Sequence, residues 1–281
     1  MKVVVHVGPH RTATTSIQSL LAASRSVLAE VGVWYPQCHT GATAHHVLAW
    51  KVLERDLAPL GASNDSRTAR ETLEEWIVEA RSNDCATLLL SSEDFAVLRD
   101  FGWHSLRSTC DEATSWKLVA TRRDPTEIAE SSYSHLLLNG LAQEWNAVSG
   151  ILAQGSRDFY EYLEKLQRFE AWCDVSTVGY CDDSEVFLRK IVAALVGKRK
   201  SKNVLKDHDF PRLNSRLERS KWGTLLEFNR LNTPGFVLDL QTGKFPEGYY
   251  GQVLNELPKI AWVAALINAV EEQGEFRPLA S

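Results

Sequence analysis

Two kinds of apolar pattern alternate along the chain. Residues 2–8 are a valine-rich run that ends in glycine, and 86–90 and 116–121 are continuous apolar runs; these patterns predict buried β-strands. In 14–31, by contrast, apolar residues recur every three or four positions, as in helices, and 125–138 begins with a proline, which is favoured at the first helical position. Strands that alternate with helices in this way predict an α/β fold with a parallel sheet.

Shorter segments continue the same alternation up to residue 197. We expect strands at 33–35 and 175–180, and helices at the segments 45–56, 66–82, 159–172 and 185–196. No linker rich in Pro, Gly or Ser separates two halves, so a single domain over residues 1–281 is predicted. Its core covers about 1–197, and 198–281 add a basic loop and a mainly helical C-terminal part.

Composition places the chain among ordinary globular proteins. Its 281 residues are 44% hydrophobic and 24% charged, which excludes a disordered chain, a collagen-like fibre and a coiled coil. The net charge of −5 argues against a dedicated nucleic-acid binder. The apolar run at residues 3–5 is too short for a signal peptide, and 260–270 is too short to span a membrane. A soluble, cytoplasmic protein is therefore expected.

The cysteines carry no metal or disulfide pattern. There are five, they are scattered, and none forms a C-x-x-C pair. Reduced thiols are expected, rather than a zinc site or a disulfide framework.

The segment between the first predicted strand and helix has the form of a phosphate-binding loop, because N–H groups and the helix dipole point at an anion there. Compared with the triphosphate loop G-x-x-x-x-G-K-[ST], only Gly8 and Thr15 match. Ala13 replaces the second glycine, and Thr14 replaces the lysine that contacts the β- and γ-phosphates. The sequence thus predicts a loop that binds an anion but lacks the residues of the nucleoside-triphosphate loop. An ordinary strand-to-helix turn is the alternative.

The same loop resembles that of sulfotransferases that use 3′-phosphoadenosine 5′-phosphosulfate (PAPS), whose bacterial members read H-x-G-x-x-K-T-G-T-T-S-x-Q. The matching residues are His6, Gly8, Thr12, Thr14, Thr15, Ser16 and Gln18. Arg11 replaces the lysine and keeps its charge, and Ala13 replaces a glycine, which strains the backbone if that position needs a positive φ. The resemblance implies a phosphosulfate site made of His10, Arg11, Thr12, Ala13, Thr14 and Thr15, with Arg11 also catalytic.

A second motif follows the strand predicted at 116–121. The family reads R-[ND]-P-x-[DE]-x-x-x-S-x-Y here, and Arg123 and Ser131 fall on the residues that bind the 3′-phosphate. An Arg–Asp pair that closes a helix N-terminus is the alternative reading.

Residues 198–221 carry nine Lys or Arg against three acidic residues, a net charge of +6. Arg216 in this segment is the expected counterpart of the family's basic loop over the 3′-phosphate, and a solvated basic loop is an equal alternative.

A catalytic base is expected after the strand at 86–90. This strand leads into Ser91-Ser92-Glu93, and bacterial sulfotransferases often show S-S-E at this place. Carbohydrate-type members use a glutamate there as base, so the resemblance assigns that role to Glu93. A carboxylate stabilised by a helix N-terminus is the alternative, and the other candidate bases are His10, His45, His46 and His135.

The resemblance covers about residues 3–197 and implies a P-loop NTPase-like, three-layer α/β/α fold. It implies a sulfotransferase that moves the sulfuryl group of PAPS to a hydroxyl by in-line transfer, without a metal, and releases adenosine 3′,5′-bisphosphate. The expected acceptor is a sugar or another small molecule, not a nucleic acid, and no oligomeric state is predicted. A small-molecule kinase on the same fold and a non-catalytic nucleotide-binding descendant are the alternatives.

Overall fold

The computed structural model describes most of the first 206 residues and a short later segment. The described residues are 1–38, 41–57, 60–62, 64–111, 114–138, 141, 143–169, 172–206, 219–223 and 225–226. Arg216 and the helical part expected after residue 226 lie outside them, so those expectations stay predictions.

In this part of the chain, five strands form one parallel sheet with the order β2-β3-β1-β4-β5. The strands are β1 (Lys2–Val7), β2 (Val33–Trp34), β3 (Thr87–Ser91), β4 (Ser115–Arg122) and β5 (Cys173–Gly179). In the central strand, Val4 is paired with Leu89 of β3 on one side and with Lys117 of β4 on the other. The predicted α/β fold with a parallel sheet is confirmed.

Helices connect and cover the strands. Those in the described residues are α1 (Thr14–Ala23), α2 (Arg25–Glu30), α3 (His46–Val52), α4 (Ala69–Ser82), α5 (Asp100–Arg107), α6 (Pro125–Leu138), α7 (Trp145–Phe169), α8 (Ser184–Val196) and α9 (Lys198–Val204). α4 begins later than expected because Thr68 and Glu71 form a capping box, in which each side chain accepts the other residue's backbone N–H.

The predicted single helix at 14–31 is wrong in one respect, because it is divided into α1 and α2. The Ser24 hydroxyl donates to the Leu20 carbonyl oxygen at 2.8 Å, and Ser24 adopts a non-helical φ of −96° and ψ of 12°. Serine side chains that bond to the backbone compete with the helix in this way.

Helices pack on both faces of the sheet, which gives the expected three layers. Successive side chains of a strand point to opposite faces. Val3 and Val5 of β1 therefore pack in a core with Trp76 of α4, whereas Val4 packs in a second core with Ile17 of α1 and Ile191 of α8. No helix among the described residues is long and apolar enough to cross a membrane.

The described residues form two compact units. The first unit, residues 1–128 and the described residues from 155 to 206, contains the sheet. The second unit contains Ala129–Gln154 and the described residues from 219 on. It is held by an aromatic cluster in which the rings of Tyr133, Trp145 and Trp222 lie 4.8–5.4 Å apart. A single domain over the whole chain stays a prediction.

Candidate functional site

The loop between β1 and α1 lies at the centre of the carboxyl edge of the sheet. Arg11 and Ala13 have φ angles of 71° and 61°, in the left-handed region that side chains with a Cβ rarely adopt. Thr12 between them is buried, and its hydroxyl donates to the Pro9 carbonyl oxygen at 2.7 Å. Left-handed residues that alternate with ordinary ones turn successive N–H groups to one side, which forms a concave anion site.

The start of α1 and Gly8 also shape this loop. Ala13 occupies the N-cap position of α1 and has no side-chain acceptor for the N–H groups of the first turn. A Cβ on Gly8 would lie 2.9 Å from Thr12 Oγ1 and 3.4 Å from Thr121 Cβ, so glycine is needed for the loop to pack against β4. Thr14 is buried and Thr15 is exposed at the start of α1.

Replacing Ala13 by glycine is expected to stabilise the protein by about 1 kcal/mol, because the left-handed conformation strains alanine and not glycine. The free energy of unfolding, measured by urea denaturation, tests this. The matched control is Ala23→Gly at an exposed position of α1, where glycine should destabilise by up to about 1 kcal/mol. Equal destabilisation by both changes would contradict the strain at Ala13.

Arg123 follows β4 and is held rigidly against this loop. Its Nη1 donates to the Arg11 carbonyl oxygen at 2.8 Å, and its Nε donates to Glu127 at 3.2 Å. The guanidinium carbon lies 4.3 Å from the centre of the Tyr180 ring, and the backbone N–H donates to the Tyr160 hydroxyl at 3.0 Å. These contacts leave 8% of the side chain exposed. The structure thus brings together two elements that are 112 residues apart in the sequence.

Ser131 and His135 lie on the part of α6 that belongs to the second unit. Ser131 is buried. Its expected role beside Arg123 at a 3′-phosphate stays a prediction.

Four titratable side chains meet on the other side of the loop, next to the end of β3. Glu93 Oε1 lies 3.7 Å from His10 Nδ1, and Glu93 Oε2 lies 4.0 Å from His46 Nε2. Gln18 of α1 donates to Glu93 Oε2 at 2.8 Å, and His46 Nδ1 lies 2.8 Å from Asp94 Oδ2. Within the described ranges, no group of three or more His, Cys, Asp or Glu side chains is arranged to hold a metal ion.

The neighbouring groups shift the pKa values of Glu93 and His46 in opposite directions. Burial alone would raise the pKa of Glu93, but the charges of His10 and His46 and the Gln18 hydrogen bond hold it below its ordinary value. Burial alone would lower the pKa of His46, but the hydrogen bond to Asp94 and the charges of Glu93 and Asp94 raise it above its ordinary value. Glu93 is therefore ionised at neutral pH, and His46 is the more basic of the two.

Two further histidines are structural. His6 Nδ1 lies 2.8 Å from Ser91 Oγ, so this ring ties β1 to β3. His45 Nδ1 accepts the Ser91 N–H at 2.9 Å, which leaves its Nε2 to donate to the Pro36 carbonyl oxygen at 3.1 Å. Burial lowers the pKa of His6 to about 4 and that of His45 to about 3. Both ring nitrogens of His45 are occupied, so it cannot accept a proton from a substrate without losing a contact.

No site role is expected from the sequence for three residues of the site: Asp94, Tyr160 and Tyr180. The position of Tyr180 directly after β5 is a signal, because it places the residue at the same sheet edge as Arg123. Tyr160 lies in the middle of α7 and has no such signal. Asp94 is next to Glu93, but its bond to His46 depends on how α3 packs.

Comparison with known proteins gives similarity in fold only. No family model matches the sequence, and no curated protein matches it significantly. One similar solved structure is the sulfotransferase domain of the olefin synthase from Synechococcus PCC 7002, with a TM-score of 0.45 and 13% identity over 94% of both chains. Another is the sulfotransferase domain from the curacin biosynthetic pathway, with a TM-score of 0.40 and 11% identity over 92% of this chain and 97% of that one.

Proposed function

We propose that this protein is a PAPS-dependent sulfotransferase that acts on a hydroxyl of a small molecule or carbohydrate. The observation that carries the proposal is the position of the β1–α1 loop between an arginine and a carboxylate whose side chains are 8% and 14% exposed. Arg123 donates to the Arg11 carbonyl oxygen on the β4 side, and Glu93 lies on the β3 side. PAPS has two anionic groups, so its site needs an anion-binding loop for one and a cationic side chain for the other at the same sheet edge. The acceptor hydroxyl needs a base that takes its proton.

The loop has the properties that a phosphosulfate group needs. The concave backbone at Arg11–Ala13 and the first turn of α1, which its N-cap side chain does not close, would supply N–H donors. Arg11 would supply positive charge where the leaving phosphate oxygen gains negative charge. Because arginine does not lose its proton in proteins, this role is electrostatic and does not involve proton donation.

Glu93 has the properties of a base for the acceptor. In the transfer, a sulfur–oxygen bond to the acceptor forms while the bond from sulfur to the bridging phosphate oxygen breaks, and the acceptor hydroxyl loses its proton. Glu93 is kept ionised by His10, His46 and Gln18, so its carboxylate can take that proton. The Gln18 hydrogen bond fixes one carboxylate oxygen, which orients the side chain.

Ligand preference tests the proposal. Titration calorimetry should show binding of adenosine 3′,5′-bisphosphate, weaker binding of adenosine 5′-monophosphate, and no preference for ATP–Mg²⁺. The absence of the P-loop lysine at Thr14 is the reason to expect this order. Labelled PAPS should then pass its sulfuryl group to a member of a panel of hydroxyl acceptors. Tighter binding of ATP–Mg²⁺ would indicate the kinase instead, and bisphosphate binding without any transfer would indicate a non-catalytic descendant.

A further inference from the structure

His46 and Asp94 form an ordered pair beside Glu93. His46 is the first residue of α3, and Asp94 lies in the 3₁₀ turn Glu93–Val97 that follows β3. His46 Nδ1 lies 2.8 Å from Asp94 Oδ2 and 2.9 Å from Ser92 Oγ. The indole N–H of Trp50 donates to the same Asp94 oxygen at 2.9 Å. An ionised carboxylate only accepts hydrogen bonds, so Nδ1 carries the ring proton. His46 Nε2 is then the nitrogen that can accept a proton.

This nitrogen faces the proposed base. His46 Nε2 and Glu93 Oε2 are 4.0 Å apart, with 22% of the His46 side chain and 14% of the Glu93 side chain exposed. That separation is longer than a direct hydrogen bond, and one bridging water or a small rotation of the carboxylate would suffice to span it. His46 thus lies between a carboxylate that orients it and a carboxylate that can deliver a proton to it.

We infer that the His46–Asp94 pair takes the proton of the transfer reaction from Glu93 and passes it to solvent, an inference that rests on the proposed function. The acceptor O–H bond breaks, its electron pair stays on the oxygen that bonds to sulfur, and the proton goes to the Glu93 carboxylate. The proton then moves from Glu93 to His46 Nε2, and Asp94 balances the charge of the imidazolium. Glu93 returns to the ionised form, and the imidazolium releases its proton to solvent. His46 acts through Glu93 and is a positioning and relay residue.

The electrostatics of the cluster favour this direction of transfer. Burial favours a proton on Glu93, but the charge of His10 and the Gln18 hydrogen bond stabilise the ionised form of that carboxylate. The charge of His46 adds to this stabilisation only after His46 has taken the proton. Asp94 and Glu93 stabilise the protonated form of His46. The titratable groups around His46 are these two carboxylates of the 3₁₀ turn, His10 of the β1–α1 loop and His45 on its own segment. Because His46 accepts a proton only when it is neutral, turnover should rise with pH through the pKa of His46.

The experiment compares Asp94→Asn and His46→Gln with the wild-type chain. The pH profile of kcat is measured with PAPS and a hydroxyl acceptor, and the pKa of His46 is measured by NMR titration. Asparagine keeps an oxygen for the Nδ1–H but removes the charge. We therefore expect Asp94→Asn to move both the NMR pKa of His46 and the acidic limb of kcat to lower pH by roughly one unit or more. His46→Gln should lower kcat about 100-fold, abolish that limb and leave the KM for PAPS unchanged.

Matched controls are His104→Gln and Asp100→Asn, since both residues are exposed on α5. Neither control should change kcat or its pH profile. Transfer activity with an unmoved acidic limb in Asp94→Asn would overturn the inference and leave the proposed function intact. If Asp94→Asn does not fold, the test rests on His46→Gln, because His46 is half-buried. A wild-type kcat in His46→Gln would then overturn the inference. Absence of transfer by the wild-type chain would overturn the proposed function and this inference together.

Discussion

If Arg123 binds the 3′-phosphate as proposed, its replacement by alanine is expected to weaken binding of adenosine 3′,5′-bisphosphate by about 30-fold or more, the cost of removing one partner of a hydrogen-bonded charge pair. The side chain is 8% exposed and is fixed by the Arg11 carbonyl oxygen, Glu127 and the Tyr180 ring, so its positive charge is already oriented before any anion binds. A preorganised cation contributes more to affinity than a mobile one. Titration calorimetry measures the dissociation constant.

Arg122 provides the control for this measurement. It is the adjacent residue, carries the same charge and is exposed, with its Nη2 3.5 Å from Glu164. Arg122→Ala should change the dissociation constant by less than about fivefold, because an exposed ion pair contributes little. Thermal unfolding of both variants separates loss of binding from loss of fold. Equal affinity of Arg123→Ala and the wild-type chain would exclude Arg123 from the proposed 3′-phosphate site.

Replacement of Glu93 by glutamine is expected to lower turnover by about 100- to 10,000-fold, the usual contribution of a general base. An amide cannot take the proton of the acceptor hydroxyl. Its oxygen can still accept the hydrogen bond from Gln18, so the cluster should keep its shape and the dissociation constant of adenosine 3′,5′-bisphosphate should not change. The measurements are kcat at saturating PAPS and calorimetric affinity.

Glu164→Gln is the matched control for this change, because Glu164 is exposed on α7 and contacts Arg122 alone among the described ion pairs that include it. It should turn over at the wild-type rate. Wild-type kcat in Glu93→Gln would exclude Glu93 as the base. Weaker binding with unchanged kcat would instead assign Glu93 to ligand binding.

Strong apolar patterns in the sequence predict most of the sheet and its larger helices. The runs that became β3 and β4 are apolar at most of their central positions, and α6 has the predicted bounds, Pro125–Leu138. α5 is not predicted because it is eight residues long, and only Trp103 and Leu106 are large buried apolar residues in it. α9 is not predicted either, since its sequence is mostly basic. Short helices of this kind form through tertiary contacts that periodicity does not contain.

The candidate site is predictable only where it follows motifs. The β1–α1 loop, Arg123 and Glu93 each follow a parallel strand. Their position at the same edge of the sheet can therefore be expected from the order of strands and helices in the sequence. The sequence does not predict the sign of φ at Ala13 and says only that alanine would be strained there if φ were positive. In the structure, φ of Ala13 is 61°. His46 and Asp94 are 48 residues apart, and their contact depends on the packing of α3 against the 3₁₀ turn. No spacing in the sequence encodes that packing.

The central position of β1 has a consequence for biosynthesis. Its neighbours in the sheet begin at Thr87 and Ser115, so the ribosome makes β1 long before either partner exists. At ordinary elongation rates this interval is on the order of 10 s. Throughout it, a valine-rich segment with unpaired N–H and C=O groups is open to other nascent chains. The amount of native protein that a cell obtains therefore depends on how well this strand is shielded until β4 emerges.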